Sequence, residues 1–201
     1  MKTFVNSNST VFDGFPILSV RKNIKLRELQ IPRDIKKYYK LFADPKVSKY
    51  LSDENIPFDL EQSSSMVRYW HSIFYKKQSF FWAISRVETD DLIGSMGFNS
   101  WSQRNAKADI SYDLCSEYWR QGIMFDVLMG ALRFGFEKML LNRVEVYVMK
   151  ENIPSHLLLK KIGFCREGEL REYRIVRGET KDVIVHSLLL KDYNKIIGEK
   201  K

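Results

Sequence analysis

The sequence predicts an α/β fold, one domain in which a mixed sheet is flanked by helices, and three observations carry this. Phe81 to Ser85 and Leu92 to Phe98 are apolar runs joined by the polar turn Glu88-Thr89-Asp90-Asp91, the pattern of a β-hairpin. Lys107 to Leu114 alternates, so that Ala108, Ile110, Tyr112 and Leu114 share one face of a strand and Asp109, Ser111 and Asp113 the other. That strand is followed by a long apolar helix and a further strand, the order of a crossover unit.

The elements follow in chain order. Residues 1–22 read as an N-terminal arm, 23–195 as the single domain and 196–201 as a C-terminal tail. A first strand covers Ile24 to Leu29, where apolar and charged residues largely alternate. A helix with Pro32 at its start carries Ile35, Tyr38, Tyr39 and Phe42 at helical spacing and is broken by Asp44-Pro45. A second helix spans Leu60 to Tyr75, with Met66, Tyr69, Trp70 and Ile73 on one side. These early helices are placed to line one side of a substrate cleft. Gly122 to about Met139 is helical and apolar nearly all round, so it is expected to be deeply buried. Arg143 to Val148 is a strand, and a short helix from Pro154 to Lys161 stops at Gly163, a left-handed cap with Phe164 packing behind it. Strands at Leu170 to Val176 and Val183 to Leu190 complete the sheet.

Composition narrows the function. The chain has 201 residues, enough for a substantial core, and a formal charge of +8 that favours anionic partners. No Lys/Arg block is interleaved with aromatics, so direct nucleic-acid binding is not expected. No run approaches the roughly 20 apolar residues of a membrane span, and the first residues lack the apolar core of a signal peptide. A soluble, cytoplasmic protein with no membrane partner is expected. Cys115 and Cys165 are too few for a disulfide framework, and His71, His156 and His186 are scattered, so no metal is expected.

The most informative segment is Tyr118-Trp119-Arg120-Gln121-Gly122-Ile123-Met124, a turn onto the N-terminus of the long helix. Free N–H groups and the positive end of the helix dipole make such a turn an anion site, and Gly122 lets the backbone approach a pyrophosphate. Alone, the same residues also describe a plain helix cap. A second segment, Asn152-Ile153-Pro154-Ser155 followed by Leu159, Lys161, Gly163 and Phe164, adds to it. Together the two segments resemble the GNAT superfamily of acetyltransferases. The stretch from Ala108 to Glu169, with Leu-Asn-Arg-Val-Glu at 141–145, is similar to the RimJ/RimL-like branch of ribosomal-protein N-acetyltransferases. Phe15-Pro16-Ile17-Leu18, Ala43-Asp44-Pro45, Trp82-Ala83-Ile84 and Gly168-Glu169-Leu170-Arg171-Glu172-Tyr173 extend the likeness over most of the chain.

The resemblance implies a mostly antiparallel sheet splayed open in the middle, with acetyl-CoA as co-substrate in the opening. Trp119, Arg120, Gln121, Gly122, Ile123, Met124 and Phe125 match the turn that wraps the pyrophosphate. The strand ending at Leu114 would pair with the pantetheine arm and offer a main-chain N–H to the acetyl carbonyl, an oxyanion stabiliser. Asn152 matches the position that hydrogen-bonds the arm. Ser155 matches a serine placed near the thioester sulfur, and by its own chemistry it is also a helix-capping residue. Asp109 stands where the branch commonly has Glu and is the candidate base, with a solvated strand-face carboxylate as the alternative. Leu159 occupies the position of a tyrosine acid in many relatives, which excludes a phenol at that site. Met124 and Phe125 are bulkier than usual for the turn, and His186 is assigned no catalytic role.

The implied reaction is acetyl transfer to a primary amine by direct attack in a ternary complex. A protein N-terminal α-amine leads, since its pKa near 8 makes it easier to deprotonate than a lysine amine. A small-molecule amine such as a polyamine, amino sugar or antibiotic is the alternative, and a non-catalytic acyl-CoA-binding protein stands behind both. The chain is expected to act as a monomer or homodimer.

Overall fold

The computed structural model describes residues 10–198. Eight strands form one sheet: β1 (Leu18–Arg21), β2 (Ile24–Glu28), β3 (Phe81–Arg86), β4 (Leu92–Ser102), β5 (Lys107–Leu114), β6 (Arg143–Met149), β7 (Cys165–Val176) and β8 (Glu179–Leu189). Six helices accompany them: α1 (Ile35–Ala43), α2 (Pro45–Ser48), α3 (Leu60–Tyr75), α4 (Ile123–Glu137), α5 (Ile153–Ile162) and α6 (Leu190–Gly198). The spatial order is β1-β2-β3-β4-β5-β6-β8-β7, and every neighbouring pair is antiparallel except β5 and β6. The predicted mixed, mostly antiparallel sheet is therefore present, with the crossover through α4 joining its two parallel strands.

That parallel pair is where the sheet opens. Pairing runs only through Lys107↔Arg143, Ala108↔Val144 and Asp109↔Glu145. Beyond it β5 stays on β4 as far as Gly94↔Leu114, while β6 stays on β8 as far as Met149↔Val183. Each strand is held by its other neighbour, and the right-handed twist separates them.

Helices cover both faces. On one, α4 buries Val127, Leu128, Ala131 and Leu132 against Trp82, Met96, Phe98 and Ile110. On the other, Tyr38 and Leu41 of α1 and Val67 of α3 pack over Phe81 and Ala83. Behind α1, the buried Arg27 guanidinium holds Asp34 (2.6 Å) and Asp90 (2.9 Å), tying the chain before the helix to the β3–β4 turn.

Several elements differ from expectation. Leu18–Arg21, read as part of the arm, is the edge strand β1, and the rest of the arm through residue 9 lies outside the described residues. The helix starts at Ile35 rather than Pro32, because the Asp34 carboxylate accepts the Gln30 N–H and the Arg27 guanidinium and fixes residues 31–34 as a turn. Residues 190–198, read as the end of the last strand, a stretch of the domain with no element and the start of the tail, form α6, whose Tyr193 packs on Phe136 with centroids 4.8 Å apart. Of the tail, residues 199–201 lie outside the described residues. Gly163 caps α5 as expected, with φ at 109°.

Candidate active site

The opening between β5 and β6 is one cleft of about 910 Å³. Its geometry follows from the alternation along β5. The Cys115 N–H donates to the Ile93 carbonyl (2.8 Å), and the antiparallel register is regular from Gly94↔Leu114 to Asn99↔Asp109. Hydrogen-bonded pairs alternate, so the peptide groups of 109, 111 and 113 bind β4 while those of Tyr112 and Leu114 point into the opening. The Leu114 carbonyl is taken by the Trp119 indole N–H at 2.7 Å. The main-chain N–H groups of Tyr112 and Leu114 are thus directed at whatever lies along the strand.

The turn after β5 presents an uncapped helix N-terminus to the cleft. Arg120 has φ of 60° and Gly122 of 75°, and no side chain caps α4, whose N-cap is Gly122. The N–H groups of Ile123 and Met124 in its first turn have no intrahelical acceptor, and the helix is 15 residues long. Nothing lies within 4 Å of a Cβ built on Gly122, so it is the left-handed backbone and not lack of space that calls for glycine there. Trp119, Arg120, Gly122, Ile123, Met124 and Phe125 line the cleft, as does Lys161 of α5. Phe125 packs at the core's rim with the Lys161 ammonium 5.2 Å above its ring. Gln121 turns away instead: its side chain donates to the Glu117 carbonyl (2.9 Å), and its own carbonyl accepts from Arg21 (3.0 Å). Of the predicted turn residues it alone does not line the cleft.

The opposite faces of β5 carry different chemistry. On the α5 side, the Ser155 and Tyr112 hydroxyls lie 2.6 Å apart. Asn152, not Ser155, caps α5: its Oδ1 accepts the Ser155 N–H (3.3 Å), since Asn152 stands at the N-cap and Ser155 three residues inside. This frees the serine hydroxyl and leaves the Nδ2 donors of Asn152. Leu159 is fully buried in the core.

On the α1/α3 side lie Asp109, Ser111 and Asp113, opposite Asn99, Gly97 and Ser95 of β4. Asp109 and Asp113 both line the cleft. Burial pushes the Asp113 carboxyl up to about 7, the range of a working base at neutral pH. Facing it, the Trp70 indole donates to the Tyr38 hydroxyl (3.3 Å) and stacks on Phe81 with centroids 4.0 Å apart. Phe81 in turn lies over Gly97, where a Cβ would stand 2.2 Å from its ring. Beside Asp109, burial pushes the Tyr147 phenol up to about 12, and Tyr147 donates to Glu145 (3.2 Å). His186 is buried against His156 with ring nitrogens 2.9 Å apart, and burial first, then the neighbouring His156, lowers its pKa. Among the described residues, no group of three His, Cys, Asp or Glu side chains is arranged to hold a metal ion. Tyr112 and Asp113 were absent from the sequence-derived site. Their alternation was visible, but neither the Ser155 contact nor the burial of Asp113 has a local signal.

The sheet that opens between β5 and β6, with its cleft, belongs to a class of protein, the acyltransferases. A family model for the acetyltransferase (GNAT) domain matches residues 23–165, and the chain belongs to that family. It is an acetyl-CoA-dependent N-acetyltransferase. It is 33% identical over 175 residues to an uncharacterized N-acetyltransferase of Bacillus subtilis (strain 168), YoaA, covering 87% of this chain and 97% of that protein. It is 25% identical over 122 residues to the [ribosomal protein uS5]-alanine N-acetyltransferase of Escherichia coli (strain K12), covering 60% of this chain and 63% of the relative. The fold matches RimL, a ribosomal L7/L12 α-N-protein acetyltransferase solved with coenzyme A, with a TM-score of 0.78 at 18% identity, covering 89% of this chain and 99% of that one.

Proposed function

We propose that the acceptor is the α-amine of a polypeptide N-terminus, acetylated by direct attack in a ternary complex. Asp113 carries this reading. A carboxylate with a pKa of about 7 takes a proton from an α-ammonium of pKa about 8 at small cost, and from a lysine or polyamine ammonium above 10 only at a large one. Asp113 assumes the base role given to Asp109 in the sequence. Ser155 touches Tyr112, the immediate neighbour of Asp113, whereas Asp109 lies four residues back, about 13 Å along an extended strand.

Bound acetyl-CoA supplies the activated acetyl group. The first turn of α4, with Arg120 and Lys161, would hold its phosphates, and the Asn152 Nδ2 donors its arm. One main-chain N–H on the free edge of β5, that of Tyr112 or of Leu114, would donate to the acetyl oxygen, Asp113 would receive the amine proton, and Ser155 would serve the sulfur. The relative named for uS5-alanine acetylation supports a ribosomal-protein acceptor, and such acceptors place the enzyme in the cytoplasm. The test is free-CoA release with ribosomal N-terminal peptides, polyamines and amino sugars. Release with peptides that Asp113→Asn abolishes supports the proposal, and release with polyamines alone refutes it.

A second reading, a small-molecule amine, is favoured by one contact. The Asp53 carboxylate accepts the N–H groups of Arg177 (2.8 Å) and Gly178 (3.4 Å), strapping the α2–α3 segment to the tip of the β7–β8 hairpin. Tyr50, Leu51 and Asn55 of that segment and Arg174 of the hairpin line the cleft, which narrows its acceptor side. Under this reading Asp53→Ala raises peptide turnover relative to that of small amines. An unchanged ratio removes the support.

A further inference from the structure

Ser155 has one proton and two lone pairs, so its value to a leaving group depends on which way that proton points. Its position on α5 does not fix this, because a hydroxyl rotates freely. The partner 2.6 Å away does. Tyr112 packs against the main core, and Ser155 is the only hydrogen-bond partner of its hydroxyl among the described residues. Were Ser155 the donor, the phenol O–H would have no protein acceptor among the described residues. With Tyr112 as donor both groups are satisfied, and the serine proton is free to turn into the cleft. Burial, and then the nearby Asp113 charge, raise the Tyr112 pKa well above its ordinary value against the opposing hydrogen bond from Ser155, so the phenol keeps its proton at neutral pH.

We propose that Tyr112 is a positioning residue: by donating to Ser155 Oγ it aims the serine O–H at the sulfur of the bound co-substrate, where the thiolate departs. The inference rests on the acetyl-transfer reading above. In that transfer the amine nitrogen bonds to the acetyl carbon, and the carbon–sulfur bond breaks with its electron pair on sulfur. The amine proton passes to Asp113 and from it to water, and the thiolate takes one proton back from water, so that no proton is gained or lost overall. Ser155 and Tyr112 keep their protons throughout, because a serine hydroxyl and a phenol whose pKa is raised are weaker acids than a thiol. Their contribution is a two-link hydrogen-bond chain to a developing anion. The phenol on β5 thereby enters the site from the strand, on the side from which Leu159 offers nothing.

The test uses the thiol of bound CoA itself, titrated through the ultraviolet absorbance of the thiolate, in the wild type, Tyr112→Phe, Ser155→Ala and the double variant. The wild type is expected to lower the bound thiol pKa below that of free CoA. Tyr112→Phe, which keeps the ring and its packing, should raise it by about one pH unit, a tenfold loss of thiolate preference and about the worth of one hydrogen bond to a charged group. Ser155→Ala should raise it at least as far, and adding Tyr112→Phe to it should change nothing more. A thiol pKa in Tyr112→Phe equal to the wild type overturns the proposal, as does a Tyr112→Phe shift that persists without Ser155, or a wild type that leaves the thiol pKa unmoved. Amine-dependent CoA release is scored separately. A shifted thiol without peptide turnover counts against the acceptor reading and not against this one.

Discussion

Replacing Asp113 by Asn removes the proposed base and the cost of burying its charge in a single change. Burial raises the carboxyl from the ordinary 3.8 to about 7. At about 1.4 kcal/mol per pH unit, ionising it in the folded protein costs about 4 kcal/mol more than in the unfolded chain. The sign is opposite to that of an ordinary paired carboxylate. At low pH both states are protonated and the group contributes nothing. As pH rises from about 4 to about 7 the unfolded chain releases the proton first, so stability falls, and above 7 the loss is complete. Asp113→Asn should therefore be more stable than the wild type by about 4 kcal/mol at pH 8 in urea unfolding, with the gain shrinking toward zero near pH 4. Its kcat/KM should fall about 10²- to 10⁴-fold and lose the limb near pH 7, leaving only the acceptor's own ionisation. A variant less stable than the wild type at pH 8, or one that keeps its rate and pH profile, refutes the assignment.

Other perturbations test the scaffold. Gly122→Ala forces a side chain into a φ of 75° at a cost of about 1–2 kcal/mol, so calorimetry should show acetyl-CoA affinity reduced about tenfold with the fold retained. Gly97→Ala puts a Cβ 2.2 Å from the Phe81 ring and 2.9 Å from the Phe80 carbonyl oxygen. It should lose about 1–3 kcal/mol in thermal unfolding and raise the acceptor KM as Phe81 moves off Trp70. Arg27→Met strands the buried Asp34 carboxylate and should cost about 3–5 kcal/mol in denaturant unfolding, most of it recovered when Asp34→Leu is added.

Much of the fold was legible because its signals are local. The 107–114 strand and the 60–75 helix were bounded as the structure has them, since strict alternation and uninterrupted helical spacing depend only on neighbours in the chain. The glycine turn before α4 and the left-handed cap at Gly163 were readable for the same reason: a positive φ leaves its mark in residue type. Helix α6 was missed because its apolar positions follow the last strand without a break, and what ends that strand is the packing of Tyr193 and Ile196 on distant parts of the chain. The candidate site divides in the same way. The glycine turn before α4 and the serine on α5, both of which line the cleft, were readable from their own segments. Which strand-face carboxylate is pressed into a low-dielectric position, and which phenol meets Ser155 across 43 residues of sequence, were decided only when the sheet opened between β5 and β6. Desolvation and hydroxyl orientation are properties of surroundings assembled from remote segments, so residue order determined where the chemistry could be, and tertiary packing determined which atoms are placed to perform it.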